Sequence, residues 1–128
     1  MKLLLDACTF LWVLTGEPAL PPRISALIQN PDNDVFLSAA SAWEIGQKYA
    51  SGKLRLPEPP ERFIPAERDA RAIAALPIDE ESAMHAVRLP WLHRDPFDRL
   101  LVGQAIVHGM SIATPDPLIS QYPTRVIW

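Results

Sequence analysis

The sequence predicts an α/β domain built on a central, mainly parallel sheet of four to five strands, with helices on both faces. Two observations predict it. Short apolar runs such as Leu3-Leu4-Leu5 and Val35-Phe36-Leu37 lack the polar alternation of a half-solvated strand, so they read as strands buried on both faces. These runs alternate with longer stretches that carry helical spacing and helix start or stop signals. At 128 residues and 48% hydrophobic content, the chain is long enough to bury one proper core, and residues 1–128 are expected to form a single domain.

The elements follow in order. Lys2 to Leu5 is an apolar run that stops at Asp6, a buried strand. Ala7 to Leu14 reads as a helix ending near Gly16 and Pro18. Pro21-Pro22 opens a further short helix, in which Ile24, Leu27 and Ile28 recur at helical spacing. Asn30 to Asp34 is turn chemistry, and Val35-Phe36-Leu37 is the second strand. Ser38 to about Ala50 is helical and is closed by Ser51-Gly52. A connector rich in proline (Pro57, Pro59, Pro60) leads to a charged helix over roughly Glu61 to Ala72. Ile73 to Ile78 forms a third strand, followed by a helix from about Glu80 to Arg88 and a loop from Pro90 to Pro96. Phe97 to His108 is a strong helix with Leu100, Leu101, Ala105 and Val107 on its apolar side, and Gly109 stands at its C-cap. Ser111-Ile112-Ala113 is a fourth strand, Pro117 to Gln121 a short helix, and Arg125 to Trp128 a final strand.

Composition narrows the function. No apolar run approaches the roughly 18 residues of a membrane span. The N-terminus lacks the apolar length and cleavage site of a signal peptide, so a cytoplasmic protein with no membrane partner is expected. A single cysteine, Cys8, excludes an internal disulfide and a zinc site built on cysteine pairs. The net charge of −3 offers no general basic surface, so any nucleic acid must be held by a local patch or with the help of cations.

Ligands of an open parallel sheet gather beyond the carboxyl ends of its strands. Asp6 directly follows the first strand and Asp116 the fourth, Glu44 lies in the helix after the second, and Asp98 lies in the first turns of the helix leading into the fourth. Each also has a structural explanation. Asp6 can cap the helix starting at Ala7, and Ser41 with Glu44 has the spacing of a capping box. Glu44 with Lys48 is a favourable i,i+4 ion pair. Asp95-Pro96-Phe97-Asp98 looks like an N-cap, a proline at N1 and an acid at N3, and Asp116-Pro117 is a similar start signal. Gathered at one edge, however, the acids repel: two carboxylates ~4 Å apart do so by about 4 kcal/mol at an effective dielectric of about 20. A cation relieves this, and oxygen-only ligation suits Mg²⁺ or Mn²⁺.

Four segments then stand in a telling order: Leu3-Leu4-Leu5-Asp6, Ser38-Ala39-Ala40-Ser41-Ala42-Trp43-Glu44-Ile45, His93-Arg94-Asp95-Pro96-Phe97-Asp98-Arg99-Leu100-Leu101 and Ala113-Thr114-Pro115-Asp116. Together they resemble PIN-domain proteins of the VapC toxin type, over essentially the whole chain. The resemblance implies a PIN-like three-layer α/β/α domain. It implies an endoribonuclease whose acidic pocket binds Mg²⁺ or Mn²⁺ and which cuts single-stranded regions of RNA, leaving a 5′-phosphate and a 3′-hydroxyl. Asp6, Glu44, Asp98 and Asp116 match the family's acidic quartet, and Asp95 matches a further acid, assigned here mainly to capping. Thr114 is placed near the pocket, where its hydroxyl would hold a ligand carboxylate or a water. A homodimer and a cognate antitoxin whose C-terminal segment blocks the pocket are implied as well. The chain departs from the pattern at Ala7-Cys8, where relatives often carry a threonine and a histidine. That removes polar groups from the pocket's edge and leaves the quartet.

Other residues carry two readings each. Lys48, Arg94 and Arg99 can steer an RNA backbone or pair with neighbouring acids. Cys8 is read as a small buried hydrophobe rather than a nucleophile, and His93 as a solvated loop residue rather than a general acid or phosphate contact. Trp12 and Trp43 are expected in the core, and Trp91 in an exposed position able to meet a base. Three alternatives stay open: a PIN-fold RNA-processing nuclease outside toxin–antitoxin systems, a fold-retaining module that binds RNA or protein without chemistry, and a phosphatase on another α/β fold. The last would use an aspartate nucleophile after the first strand, and its best-known type carries a second aspartate where this chain has Cys8.

Overall fold

The computed structural model describes all of residues 1–128. Its strands are β1 (Lys2–Leu5), β2 (Asp34–Ser38), β3 (Ile73–Leu76), β4 (Ser111–Ala113) and β5 (Arg125–Ile127). They form one sheet in the order β3-β2-β1-β4-β5, and every neighbouring pair is parallel. The helices are α1 (Ala7–Thr15), α2 (Pro22–Gln29), α3 (Ala39–Ala50), α4 (Pro60–Ala70), α5 (Glu80–Arg88) and α6 (Pro96–His108), with a 3-10 turn at Ile119–Gln121. The chain winds outward from β1 through β2 to β3, then returns to the other side of β1 to lay down β4 and β5. The direction of winding therefore reverses between β1 and β4, and a crevice opens there at the carboxyl ends of the strands.

The side chains of β1 explain why the apolar run shows no alternation. Leu3 and Leu5 join Val35, Leu37 and Ile73 beneath Phe10, Ile24, Ile28, Ile45 and Ile64, which come from α1 to α4. Leu4 faces the opposite way and packs with Ile112, Leu101, Val102, Ala105 and Ile119. All of Leu3, Leu4 and Leu5 are fully buried. Each contributes about 1.5–3 kcal/mol of burial, so both faces of β1 demand apolar residues. No helix is long and apolar enough to cross a membrane.

The α5–α6 pair forms the tightest helix contact. A Cβ on Gly103 of α6 would lie 2.6 Å from the Ser82 carbonyl oxygen and 3.1 Å from the Ala86 Cβ. Beside it, Asp79 caps α5 by accepting from the Ser82 backbone N–H at 3.1 Å and from its hydroxyl at 2.7 Å. His108 Nε2, in the last turn of α6, lies 2.8 Å from the same carboxylate. The grouping has the composition of a hydrolytic triad, but Ser82 is fully buried, so it serves as a latch between helices. Gln104, also fully buried, accepts from the Ser38 hydroxyl at 2.5 Å and donates to the Pro77 carbonyl at 3.0 Å. It thereby ties α6 to the ends of β2 and β3.

Several expectations need correction. The charged helix ends at Ala70 rather than Ala72, because Ala72 turns to a φ of 55°. The segment expected to be helical from Pro117 is a 3-10 turn at Ile119–Gln121. The capping box of Ser41 and Glu44 does not form: Ser38 is the N-cap of α3 and accepts from the Ala40 N–H at 3.0 Å, which leaves Glu44 free of capping. Trp43 is 59% exposed rather than in the core. Trp12 is only half-buried, with its ring centroid 5.9 Å from that of Trp128.

Candidate metal centre

Each acid singled out in the sequence lies at the carboxyl end of the sheet for a local reason. Asp6 is the residue at which β1 ends and α1 begins. Its Oδ1 accepts from the Thr9 N–H at 2.7 Å, so one oxygen caps the helix. Its Oδ2 accepts from the Thr114 hydroxyl at 2.5 Å, and that hydroxyl accepts from the Asp116 N–H at 3.1 Å. Thr114, fully buried just past β4, thus couples Asp6 to the backbone of Asp116 across the crevice. Asp116 fixes its own loop through Oδ1, which accepts from the Leu118 N–H at 2.9 Å.

Asp95 and Asp98 both belong to the start of α6. Asp95 is the N-cap and accepts from the Phe97 N–H at 2.9 Å; Asp98 stands in the first turn, where the helix dipole favours an anion. Glu44 projects from the second turn of α3. Oxygens of Glu44, Asp95 and Asp98 lie within 4.8 Å of one another, and so do ligand atoms of Asp98, Asp116 and His93. Asp98 is common to both groups. Asp6 belongs to neither; its two oxygens accept from Thr9 and Thr114.

The crowding has an electrostatic signature. Burial, followed by the charges of Asp95 and Glu44, raises the Asp98 pKa to about 7, with the His93 contact opposing the shift. The acids have little cationic compensation from the protein. Lys48 Nζ pairs with Glu44 at 3.0 Å, and that hydrogen bond raises the lysine pKa. His93 Nε2 lies 2.8 Å from Asp98 Oδ2 and 3.3 Å from Asp116 Oδ2. A set of oxygen donors this close, with one carboxyl driven towards protonation, fits a divalent cation of the Mg²⁺ or Mn²⁺ kind.

The remaining expectations divide. Arg94 is exposed on the loop before α6 and has no carboxylate partner. Arg99, expected at the edge of the site, is instead turned into the protein. Its residue is 6% exposed, and its guanidinium donates to the carbonyls of Ala86, Leu89 and Pro90 and to the Tyr122 hydroxyl, with Trp91 stacked 4.3 Å above. Those neutral acceptors bury a charge that the sequence alone gives no reason to place inside. Trp91 itself is 77% exposed. Burial and the neighbouring Asp6 charge push the half-buried Cys8 thiol up to about 11, so it stays protonated at neutral pH.

Two residues at this site escape sequence reasoning. His93 is not solvated: its side chain is 12% exposed and wedged between two acids. The only hint is its place at the head of the Asp95–Asp98 segment. Trp43 stands exposed beside Glu44, edge-on to Phe97 at 5.4 Å between ring centroids. Its apolar surroundings in the sequence argue against that position.

Comparison with known proteins agrees with this architecture. A family model described as the PIN domain matches residues 3–124. The chain is 34% identical over 106 residues to Ribonuclease VapC16 of Mycobacterium tuberculosis (strain ATCC 25618 / H37Rv), covering 66% of this chain and 74% of that protein. Among solved structures, VapBC2 from Rickettsia felis bound to a promoter DNA fragment matches with a TM-score of 0.74 at 14% identity, over 99% of this chain and 98% of the other. VapBC-1 from nontypeable Haemophilus influenzae matches with a TM-score of 0.66 at 17% identity, over 99% and 97%. FitAcB from Neisseria gonorrhoeae matches with a TM-score of 0.63 at 19% identity, over 98% and 96%. At those identities the structures speak for the fold alone, whereas the family model and the mycobacterial relative speak for descent. The chain belongs to the PIN-domain family.

Proposed function

We propose that this protein is a divalent-metal-dependent endoribonuclease, the toxin of a toxin–antitoxin pair. The observation that carries the reading is the position of Asp98, whose carboxyl joins Glu44 and Asp95 on one side and Asp116 and His93 on the other, at the crevice where the sheet reverses. Membership of the PIN-domain family and the likeness to Ribonuclease VapC16 support RNA as the substrate. The VapBC complexes among the structural matches support a cognate antitoxin as partner.

In this reading Glu44, Asp98 and Asp116 hold Mg²⁺ or Mn²⁺, while Asp6, braced by Thr9 and Thr114, takes part directly or through water. When bound, the cation supplies positive charge for the phosphodiester and lowers the pKa of a water. The water oxygen attacks phosphorus, the bond to the 3′ oxygen breaks, and that oxygen takes up a proton to leave as a hydroxyl. The products are a 5′-phosphate and a 3′-hydroxyl. A carboxylate of the cluster accepts the proton lost by the water. Arg94 and Lys48, on the rim, steer the phosphate backbone. The active species is a homodimer in the cytoplasm; its oligomeric state is read by light scattering on the purified protein.

The test is cleavage of end-labelled total RNA with Mn²⁺, Mg²⁺ or EDTA, beside Asp6→Asn and Asp98→Asn. Discrete fragments that require metal and disappear in both variants are expected. Equal inertness of wild type and variants, once residual antitoxin is excluded, would overturn the catalytic reading in favour of a binding module. Growth arrest on expression, relieved by the product of an adjacent small gene, is the expected sign of the toxin role. Activity without such arrest would indicate an RNA-processing enzyme instead.

A further inference from the structure

His93 lies outside the acidic set, yet its imidazole touches two members of it that come from different elements. Nε2 is 2.8 Å from Oδ2 of Asp98, on α6, and 3.3 Å from Oδ2 of Asp116, in the loop after β4. We propose that His93 is a positioning residue: Nε2, hydrogen-bonded to Asp98 and at ion-pair distance from Asp116, clips the two acids together and sets their spacing for a divalent cation, without itself ligating that cation. The proposal rests on the metal-dependent reading above.

Hydrogen-bond chemistry separates a clip from a ligand. Nδ1 of His93 faces the backbone N–H of Asp95 at 3.4 Å, so it is the accepting nitrogen. The ring hydrogen therefore resides on Nε2, where it is hydrogen-bonded to Asp98 Oδ2 and stands at ion-pair distance from Asp116 Oδ2. A nitrogen that carries a hydrogen has no lone pair to offer a metal. The carboxylates, by contrast, keep theirs. An ionised carboxylate has about four lone-pair directions. Asp116 uses one at Oδ1 for the Leu118 N–H, its Oδ2 standing 3.3 Å from His93, and Asp98 uses one at Oδ2 for His93. Both retain acceptor capacity for a cation.

The backbone that carries the imidazole is also held, independently of the acids. The His93 backbone N–H donates to the Tyr122 hydroxyl at 2.9 Å, and that hydroxyl donates to the Pro90 carbonyl at 2.9 Å. Arg99 donates to both, at 3.1 Å to Tyr122 and 2.9 Å to Pro90, while its other terminal nitrogen holds the carbonyls of Ala86 and Leu89. The buried guanidinium thus pins the Pro90–His93 loop to the end of α5. This gives Arg99 a purpose that its inward orientation otherwise lacks. Donors that orient carboxylate ligands typically affect metal affinity by about 10–100-fold when removed.

The experiment is calorimetric titration with Mn²⁺ alone of wild type, His93→Ala and His93→Gln, with pulsed electron paramagnetic resonance on the Mn²⁺-loaded proteins. Glutamine carries an amide N–H near the position of the imidazole Nε2–H. Alanine is expected to weaken Mn²⁺ binding about 10–100-fold. Glutamine should restore most of it, with no nitrogen coupling to the bound ion in wild type. Unchanged affinity in His93→Ala would overturn the clip. Tighter binding would do so too, since the imidazole would then be occupying the cation's place. Nitrogen coupling in wild type that vanishes in both variants would make His93 a ligand and equally overturn it. A wild type that binds no Mn²⁺ removes the metal-dependent function itself, and the clip with it. That outcome is distinct from one in which wild type binds and only the His93 variants are indifferent. Circular dichroism melts in EDTA confirm that each variant is folded.

Discussion

Asp98 is pulled in opposite directions by its position. The first turn of α6 favours an anion, whereas burial and the nearby Asp95 and Glu44 favour the neutral acid, and the latter prevail with a pKa of about 7. A carboxyl raised from its unfolded value near ~3.9 stabilises the fold below that value, and the contribution is lost as pH rises through about 7. In EDTA, wild type should therefore lose thermal stability relative to Asp98→Asn between about pH 4 and pH 8. The gap should reach a few kcal/mol at most, or several degrees in Tm. Parallel pH profiles of the two proteins in calorimetric scans would refute this assignment. Thr114 makes a second test at this scale. Thr114→Val leaves both Asp6 Oδ2 and the Asp116 N–H without their partner, which should cost roughly 1–3 kcal/mol in urea unfolding. A loss below about 0.5 kcal/mol would mean that water replaces the hydroxyl.

Among elements, the α5–α6 contact is the most specific. Gly103→Ala drives a methyl group into the Ser82 carbonyl, and backbone on both sides leaves little room to yield. The variant should lose about 1–3 kcal/mol, although alanine is the better helix former by about 1 kcal/mol. A more stable variant would show that the helices can separate without loss. At the same contact, the Asp79 carboxyl is held well below its usual range, first by the Ser82 hydroxyl and then by His108. A depressed pKa gives stability that is present above the unfolded value and lost as pH falls through the folded one. The Tm advantage of wild type over Asp79→Ala should thus be steady above about pH 4 and shrink below it. The comparison needs only thermal melts in a series of acidic buffers.

At the scale of the molecule, the reversal of strand order gathers acids that are far apart in the chain. Asp6 and Asp116 flank the crevice from β1 and β4, while α3 and α6 bring Glu44 and Asp98 to it. The core fixes these elements, so the repulsion persists in the fold and binding of a cation should stabilise the whole domain. With Mn²⁺ at about 100 times its Kd, the expected gain is about 2.7 kcal/mol, reversed by EDTA. A melting temperature indifferent to Mn²⁺ in wild type would count against the metal centre.

Much of this was legible in the residues. Leu3 to Leu5 and Val35 to Leu37 announce strands buried on both faces, and Gly109 and Asp95 mark the ends of α6, because such signals act over a few neighbouring residues. Asp6, Asp98 and Asp116 could be placed near one edge for the same reason, each sitting just after a strand or at the head of a helix, and Glu44 because it lies in the helix that follows β2. The sequence by itself thus determined the element order, the parallel sheet and the acids that line its carboxyl edge. Only the tertiary structure decided that Arg99 turns inward, that Trp43 faces solvent and that His93 stands between Asp98 and Asp116. Those outcomes depend on partners such as Tyr122, Ala86 and Asp116, which are remote in the chain and meet these side chains only after the core has packed.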